Sequence, residues 1–287
     1  MAIDYQVAAL WIGGSLSFLE ELCLKSFVDA GQHCVLFTYE GVDNVPDGVE
    51  IRDAADIMPN PTIHRHERTN SPALFSDRFR YVMLDKMDST IWVDTDAYCL
   101  RRFSTPNGHF HGYEKPDGVN GGVLGLPKDS DTLGQLLEFT ADPYAIPEWF
   151  PADMQLDYAR RRDAGNPVHA SEMPWGVWGP RALTHFLTKT GEIRYSLPEV
   201  ALYPVHYRDR MKMTTPGADL SAFITDETFS IHFYGRRMRA RISQKFGGVP
   251  RPRSLIGRLL NKHGIDPRKN PLPDLREQPE TPDSDEA

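Results

Sequence analysis

Cysteine is scarce in this chain, and the scarcity excludes two kinds of site. Three residues, Cys23, Cys34 and Cys99, are too few and too scattered for a disulfide framework or a CxxC metal site. Cys23 and Cys34 lie in segments that read as core, so buried thiols in a reducing compartment are expected. Long apolar runs are also missing: no stretch approaches the roughly 20 residues that a membrane span needs. The opening MAIDYQVAALWIGG has no basic leader, and its apolar run is too short for a signal peptide. A cytoplasmic, non-spanning protein is the expectation. There is no internal repeat. The net charge of −8 argues against non-specific nucleic-acid binding, so nucleic acid is not an expected partner.

What is present suits an ordinary globular protein. A length of 287 residues with 40% hydrophobic and 25% charged residues is ample for one large core. Gln6 to Ile12 reads as a buried strand ended by Gly13-Gly14. A helix capped by Ser15 or Ser17 follows, with Leu16, Leu19, Leu22, Phe27 and Val28 apolar on one face. His33 to Tyr39 is the next strand, which makes a β-α-β start and predicts an α/β sheet. Val49 to Arg52 reads as a third strand, Pro59 to Asn70 as a surface loop, and Ser71 to Lys86 as a helix. Ser89 to Val93 is a strand that runs into Asp94-Thr95-Asp96. Further strands are expected over Gly108 to Tyr113, Gly122 to Leu126 and Phe229 to Phe233, and helices over Thr132 to Thr140 and Pro180 to Lys189. These elements predict a domain over residues 1–249. A tail over 250–287, basic, then acidic and Pro-rich, is expected to be largely disordered.

The chemistry points to Asp94-Thr95-Asp96. Carboxylates at i and i+2 on an extended chain project to the same side, here at the C-terminal end of a buried strand. That edge is where open α/β sheets bind ligands. Hard cations such as Mn²⁺ or Mg²⁺ take oxygen ligands and bridge carboxylates to substrate phosphates. A nucleotide-sugar diphosphate needs such a cation, because its leaving group departs with extra negative charge. A strand followed by Asp-x-Asp is also how haloacid-dehalogenase-like phosphohydrolases present a nucleophile and an acid. Two features count against that alternative: the motif stands well into the chain, and Tyr98 follows where Thr or Val is usual.

Three segments carry a family resemblance: Leu10-Trp11-Ile12-Gly13-Gly14; Ser76-Asp77-x-x-Arg80-x-x-x-Leu84; and Trp92-Val93-Asp94-Thr95-Asp96. Their order and spacing resemble the DXD-containing sugar transferases. That family includes α-1,4-galactosyltransferases, initiating mannosyltransferases, bacterial capsule enzymes of polysaccharide biosynthesis and glucosylating toxins. Asn120-Gly121-Gly122-Val123-Leu124-Gly125 and Trp178-Gly179-Pro180 look like its later motifs, so the resemblance spans about residues 7 to 235. It implies a GT-A-like α/β fold, with a mixed central sheet flanked by helices. It also implies a retaining hexosyltransferase that uses a UDP- or GDP-sugar donor and a glycan or lipid-linked acceptor. Front-face and double displacement both stay open. By resemblance, Asp77 and Arg80 contact the donor sugar and phosphate, Asp94 and Asp96 the ribose and metal, and Trp11 the base, with Gly13 beside it. One departure stands out: Lys86-Met87-Asp88-Ser89 replaces the family's Gly-Gly between helix and strand. A non-catalytic glycan-binding protein of the same fold is the alternative from another class.

Each candidate also has a plainer reading. Asp77 and Arg80 would pair on a helix surface in any protein. His232, on a short apolar strand before Gly235, is either a hydrogen-bonded core residue or the third metal ligand that GT-A enzymes often draw from a late histidine. Asn120-Gly121-Gly122 is a turn or a close backbone approach to the donor sugar. Glu172, Trp175 and Trp178 suit either a sugar face or a core. His64, His66 and Glu67 fit no standard metal spacing and read as a solvated loop. Arg236 to Arg258 lies in an acid-free run. It reads as a solvated helix face, a pyrophosphate contact or a peripheral contact with anionic membrane at its inner face.

Overall fold

The computed structural model describes residues 4–59 and 62–276. Strand β1, Gln6–Trp11, is buried along its length: Val7 and Ala9 point to one face of the sheet, Ala8 and Leu10 to the other. That is why it reads as an unbroken apolar run. Ser17 settles the choice of cap for helix α1, Phe18–Asp29. Its hydroxyl accepts from the Leu19 N–H at 3.2 Å, and the Glu20 carboxylate accepts from the Ser17 N–H at 2.9 Å. Strands β2, Cys34–Thr38, and β3, Val49–Asp53, follow, then helix α2, Ala73–Lys86, and strand β4, Thr90–Val93. Where the resemblance leads one to expect Gly-Gly, Ser89 takes the left-handed conformation, with φ of 47°, and its carbonyl accepts from the Gln6 N–H at 3.0 Å.

The second half completes the sheet. After the short strand β5, Ala97–Cys99, come β6, Phe110–Lys115, and β7, Gly118–Gly125. The order is β3-β2-β1-β4-β7-β6; the first four strands run parallel, and β7 and β6 are antiparallel additions. The expected mixed central sheet flanked by helices is therefore what the chain forms. Helix α2, together with α3, Asp131–Ala141, and α5, Pro180–Thr190, packs on the face of Ala8, Phe37, Trp92 and Leu124. Helix α1 packs on the opposite face, through Leu24 and Phe27.

Strand β5 and two of the helices were not expected. Helix α4, Ala152–Asp163, buries none of its residues, so it leaves no apolar stripe to read. Helix α6, Glu199–Leu202, is a single turn. The late strand contracts to β8, Ser230–His232, and the basic run after it is helix α7, Gly235–Phe246. Strand β8 pairs antiparallel with β5, aligning Ala97 with His232, Tyr98 with Ile231 and Cys99 with Ser230.

The expectation of disorder from 250 onward is corrected over the described residues. Helix α8, Leu255–Lys262, is capped by Ser254, whose hydroxyl accepts from the Gly257 N–H at 3.1 Å. Leu255, Ile256, Leu260, Ile265 and Leu272 are buried against Leu19, Leu22, Tyr98, Phe233 and Met238. Prolines punctuate this segment, yet its few apolar residues cover a face of α1 that the sheet cannot reach. The acidic end, 277–287, lies outside the described residues. Replacing Ile256 by Ala should destabilise the protein by about 2–5 kcal/mol, because a fully buried side chain leaves a cavity. A disordered tail would instead leave the urea midpoint unchanged.

Candidate functional site

The Asp94 backbone N–H donates to the Gly122 carbonyl at 2.7 Å, so the end of β4 is clamped to β7. The Asp94 side chain is held from behind. Its Oδ1 accepts from the Trp92 indole N–H at 2.8 Å and lies 3.3 Å from the Arg80 guanidinium. Its Oδ2 carries no hydrogen bond among the described residues and faces Gly122, where an added Cβ would stand 3.3 Å away.

Arg80 is buried, and its donors are engaged. One guanidinium nitrogen lies 3.0 Å from Asp77, the other donates to the Gly121 carbonyl, and the ring of Trp92 lies beneath at 5.0 Å. The plain surface-pair reading of Asp77 and Arg80 is thereby overturned, since both are less than a tenth exposed. In the structure the guanidinium braces Asp94 from within. Burial pushes the Asp77 carboxyl up to about 7, opposed by Arg80 and aided by Asp94.

Asp96 and His232 close the other side. The Gly235 N–H donates to Asp96 Oδ2 at 2.5 Å, and Asp96 Oδ1 lies 3.6 Å from His232 Nδ1. That nitrogen is buried and has no hydrogen-bond partner among the described residues, flanked by the rings of Tyr203 and Tyr234 at 5.5 and 4.9 Å. An orphaned buried imidazole nitrogen is destabilising unless something occupies it. Ligand atoms of Asp94, Asp96 and His232 all lie within 4.8 Å of one another. Two carboxylates and a neutral imidazole are a suitable donor set for Mn²⁺ or Mg²⁺.

Gly121 and Gly122 are explained by close approach. A Cβ on Gly121 would stand 2.8 Å from Arg80, and one on Gly122 would stand 3.0 Å from His232. The expected turn at Asn120-Gly121-Gly122 is instead part of strand β7; the Asn120 side-chain oxygen accepts from the Gly122 N–H at 2.7 Å, and its amide donates to Glu114 at 2.8 Å. Glu114 went unremarked in the sequence, because no motif surrounds it. Trp11 and Gly13 lie at the same edge of the sheet, one strand from Asp94, and the Trp11 indole N–H donates to the Gly14 carbonyl at 3.1 Å.

Trp178 is not a sugar platform. Its ring is buried among Leu74, Phe150, Met173 and Val177, and its carbonyl accepts from the Tyr81 hydroxyl at 2.7 Å. What this segment brings to the site is backbone, since Gly179 rests against Asp77. His66 is likewise buried, and its ring nitrogen lies 3.1 Å from the Met173 carbonyl; it is no part of a solvated loop. In the basic run, Arg239 contacts Glu20 at 2.5 Å and Arg241 donates to Thr214 at 2.8 Å, while Met238 and Ile242 are buried. These arginines serve the fold, which removes them from an outward membrane stripe. Among the described residues no helix is long and apolar enough to cross a membrane.

No family model matches the sequence, and no curated protein matches it. Among solved structures, the PaToxG glycosyltransferase is 14% identical and aligns over 67% of this chain and 74% of its own, with a TM-score of 0.40. A transferase mutant is 13% identical over 58% of this chain and 87% of its own, with a TM-score of 0.32. The CTP:phosphocholine cytidylyltransferase of Streptococcus pneumoniae is 12% identical over 55% of this chain and 87% of its own, with a TM-score of 0.26.

Gly179→Ala tests the construction of the site. Its Cβ would fall 2.7 Å from an Asp77 oxygen, so Asp77 must move off Arg80. A loss of about 1–3 kcal/mol is expected. Gly134→Ala, in α3 with nothing within 4 Å, should be neutral or stabilising by up to about 1 kcal/mol. Equal thermal shifts for the two variants would contradict the contact.

Proposed function

We propose that this chain is a metal-dependent glycosyltransferase that moves a hexose from a UDP- or GDP-sugar to a glycan or lipid-linked acceptor. The observation that carries the reading is the convergence of Asp94, Asp96 and the unpartnered His232 nitrogen within 4.8 Å at the C-terminal edge of the sheet. A haloacid-dehalogenase-like phosphohydrolase has no use for an imidazole placed between its two aspartates, so His232 favours the transferase.

In this reading Asp94 Oδ2, Asp96 Oδ1 and His232 Nδ1 hold the cation. When bound, it supplies Lewis-acid stabilisation of the charge on the departing nucleoside diphosphate. The protein's own part is positional. Arg80 and the Trp92 indole fix one Asp94 oxygen and leave the other free, and the Gly235 N–H does the same for Asp96. Gly121 makes room for Arg80, and Gly122 keeps the backbone bare beside Asp94 and His232. Trp11, at the same edge, would cover a base. Asp77 anchors Arg80 from behind, which makes the pair positioning residues for Asp94.

The test is donor binding and turnover with and without metal. Thermal shift against UDP- and GDP-sugars should show stabilisation with Mn²⁺ that EDTA abolishes, about 2.7 kcal/mol at a hundred times Kd. Asp96→Asn should stay folded and lose at least about a hundredfold in turnover, since the near-isosteric amide lacks the charge that holds a cation. His232→Ala should raise the Mn²⁺ concentration needed by at least about tenfold. Full turnover in EDTA, or in folded Asp96→Asn protein, would end the metal reading. Donor binding without transfer or hydrolysis would favour the glycan-binding alternative.

A further inference from the structure

A second feature lies beside this site and plays no part in the reading above. An open cleft of about 730 Å³ is walled by His66 and Glu67 on one side, Tyr158 of α4 on another, and the segment that carries Glu172 and Trp175. That volume lies within the range of small-molecule sites. The half-buried Trp175 ring is fixed in place. His66 packs edge-on against it at 5.2 Å, with its own ring nitrogen 3.1 Å from the Met173 carbonyl, and the Arg236 guanidinium lies 5.6 Å from the indole centroid. A tryptophan held this way has lost its rotamer freedom before any ligand arrives, which favours binding.

The rim sets the class of ligand. Glu67 is exposed, and its carboxylate has no partner among the described residues. Glu172 is exposed too, and one of its oxygens accepts from the His169 N–H at 3.0 Å. Arg68 lines the same cleft. Donors and acceptors thus both line the cleft that holds the aromatic ring. A phosphate would want cations alone, whereas a neutral, hydroxyl-rich ring needs both kinds of group and stacks its C–H face on indole.

Two covalent links place the cleft next to the carboxylates. Arg236, which reaches Trp175, directly follows Gly235, whose N–H binds Asp96. Trp175 lies on the same segment as Gly179, which rests against Asp77. We infer that this cleft is a saccharide-binding site with Trp175 as its platform. Resting on the transferase reading, it is the place where the acceptor glycan lies during transfer.

Indole ¹⁵N–¹H spectra separate this inference from the donor reading. Trp92 donates to Asp94 and so reports the carboxylate site, while Trp175 reports the cleft. Phe substitution at each position assigns the two signals. Methyl hexosides and their disaccharides should move the Trp175 signal and leave Trp92 in place. UDP- and GDP-sugars with Mg²⁺ should move Trp92. Trp175→Ala should weaken saccharide binding at least about tenfold, and Trp175→Phe, which keeps a ring, by less. Glu67→Gln, at an exposed position, should weaken it severalfold without risk to the fold. If nucleotide sugars move Trp92 but no saccharide moves Trp175, the cleft inference falls and the transferase reading stands. If saccharides move Trp175 and no nucleotide sugar moves Trp92, the cleft stands as a sugar site and the donor reading falls. Saccharide affinity unchanged in both Trp175→Ala and Glu67→Gln would overturn the cleft as the binding site.

Discussion

The buried guanidinium of Arg80 is the constraint around which the site is built. Taking a cation out of water is costly, and the penalty is offset only when good geometry and hydrogen bonds surround the charge. Asp77, Asp94 and the Gly121 carbonyl supply that geometry, and they come from three different parts of the chain. Satisfying one arginine therefore locks α2, the end of β4 and strand β7 into one arrangement. A planar fork of donors achieves this where a lysine ammonium would not. Arg80 offsets Asp94 from one side, and on the other Asp96 adds a second carboxylate beside His232. Those two carboxylates, with His232 Nδ1 unpaired among the described residues, are the electrostatic ground for expecting a divalent cation.

The local parts of this arrangement were legible in the sequence. β1, α1 and β2 declare themselves by burial on both strand faces and by a Ser-x-x-Glu cap. β4 with its two aspartates declares itself as an apolar strand that ends in charge. The link between α2 and β4 was legible only as an anomaly: glycines were expected, and Ser89 takes their conformation instead. The long-range parts were not legible. β5 is three residues long and has no pattern of its own, whereas β8 was read as the longer run Phe229 to Phe233; what could not be read is that the two pair with each other. α4 was invisible because it buries nothing, and α8 because prolines surround its apolar turn.

Trp178 shows how a motif conceals where its side chain lies. Tryptophan beside Gly-Pro in a loop suggests an exposed ring, yet the indole fills a satellite core under α4, and it is the bare backbone of Gly179 that meets Asp77. Three residues earlier, Trp175 has the opposite fate, because His66 and Arg236 occupy only part of its surface. No spacing rule separates the two. The difference lies in what the rest of the chain brings to each ring.

The β5–β8 pairing has a consequence for how the protein is made. Asp96 and Gly235, which meet at one hydrogen bond, are separated by 139 residues. At a synthesis rate of about 5–20 residues per second, the aspartates emerge from the ribosome roughly 7–28 s before the strand and glycine that complete them. Throughout that interval the parallel core of β1, β2, β3 and β4 is free to form, with its acidic edge still open. The grouping of Asp94, Asp96 and His232 is thus completed only when nearly the whole domain has been synthesised.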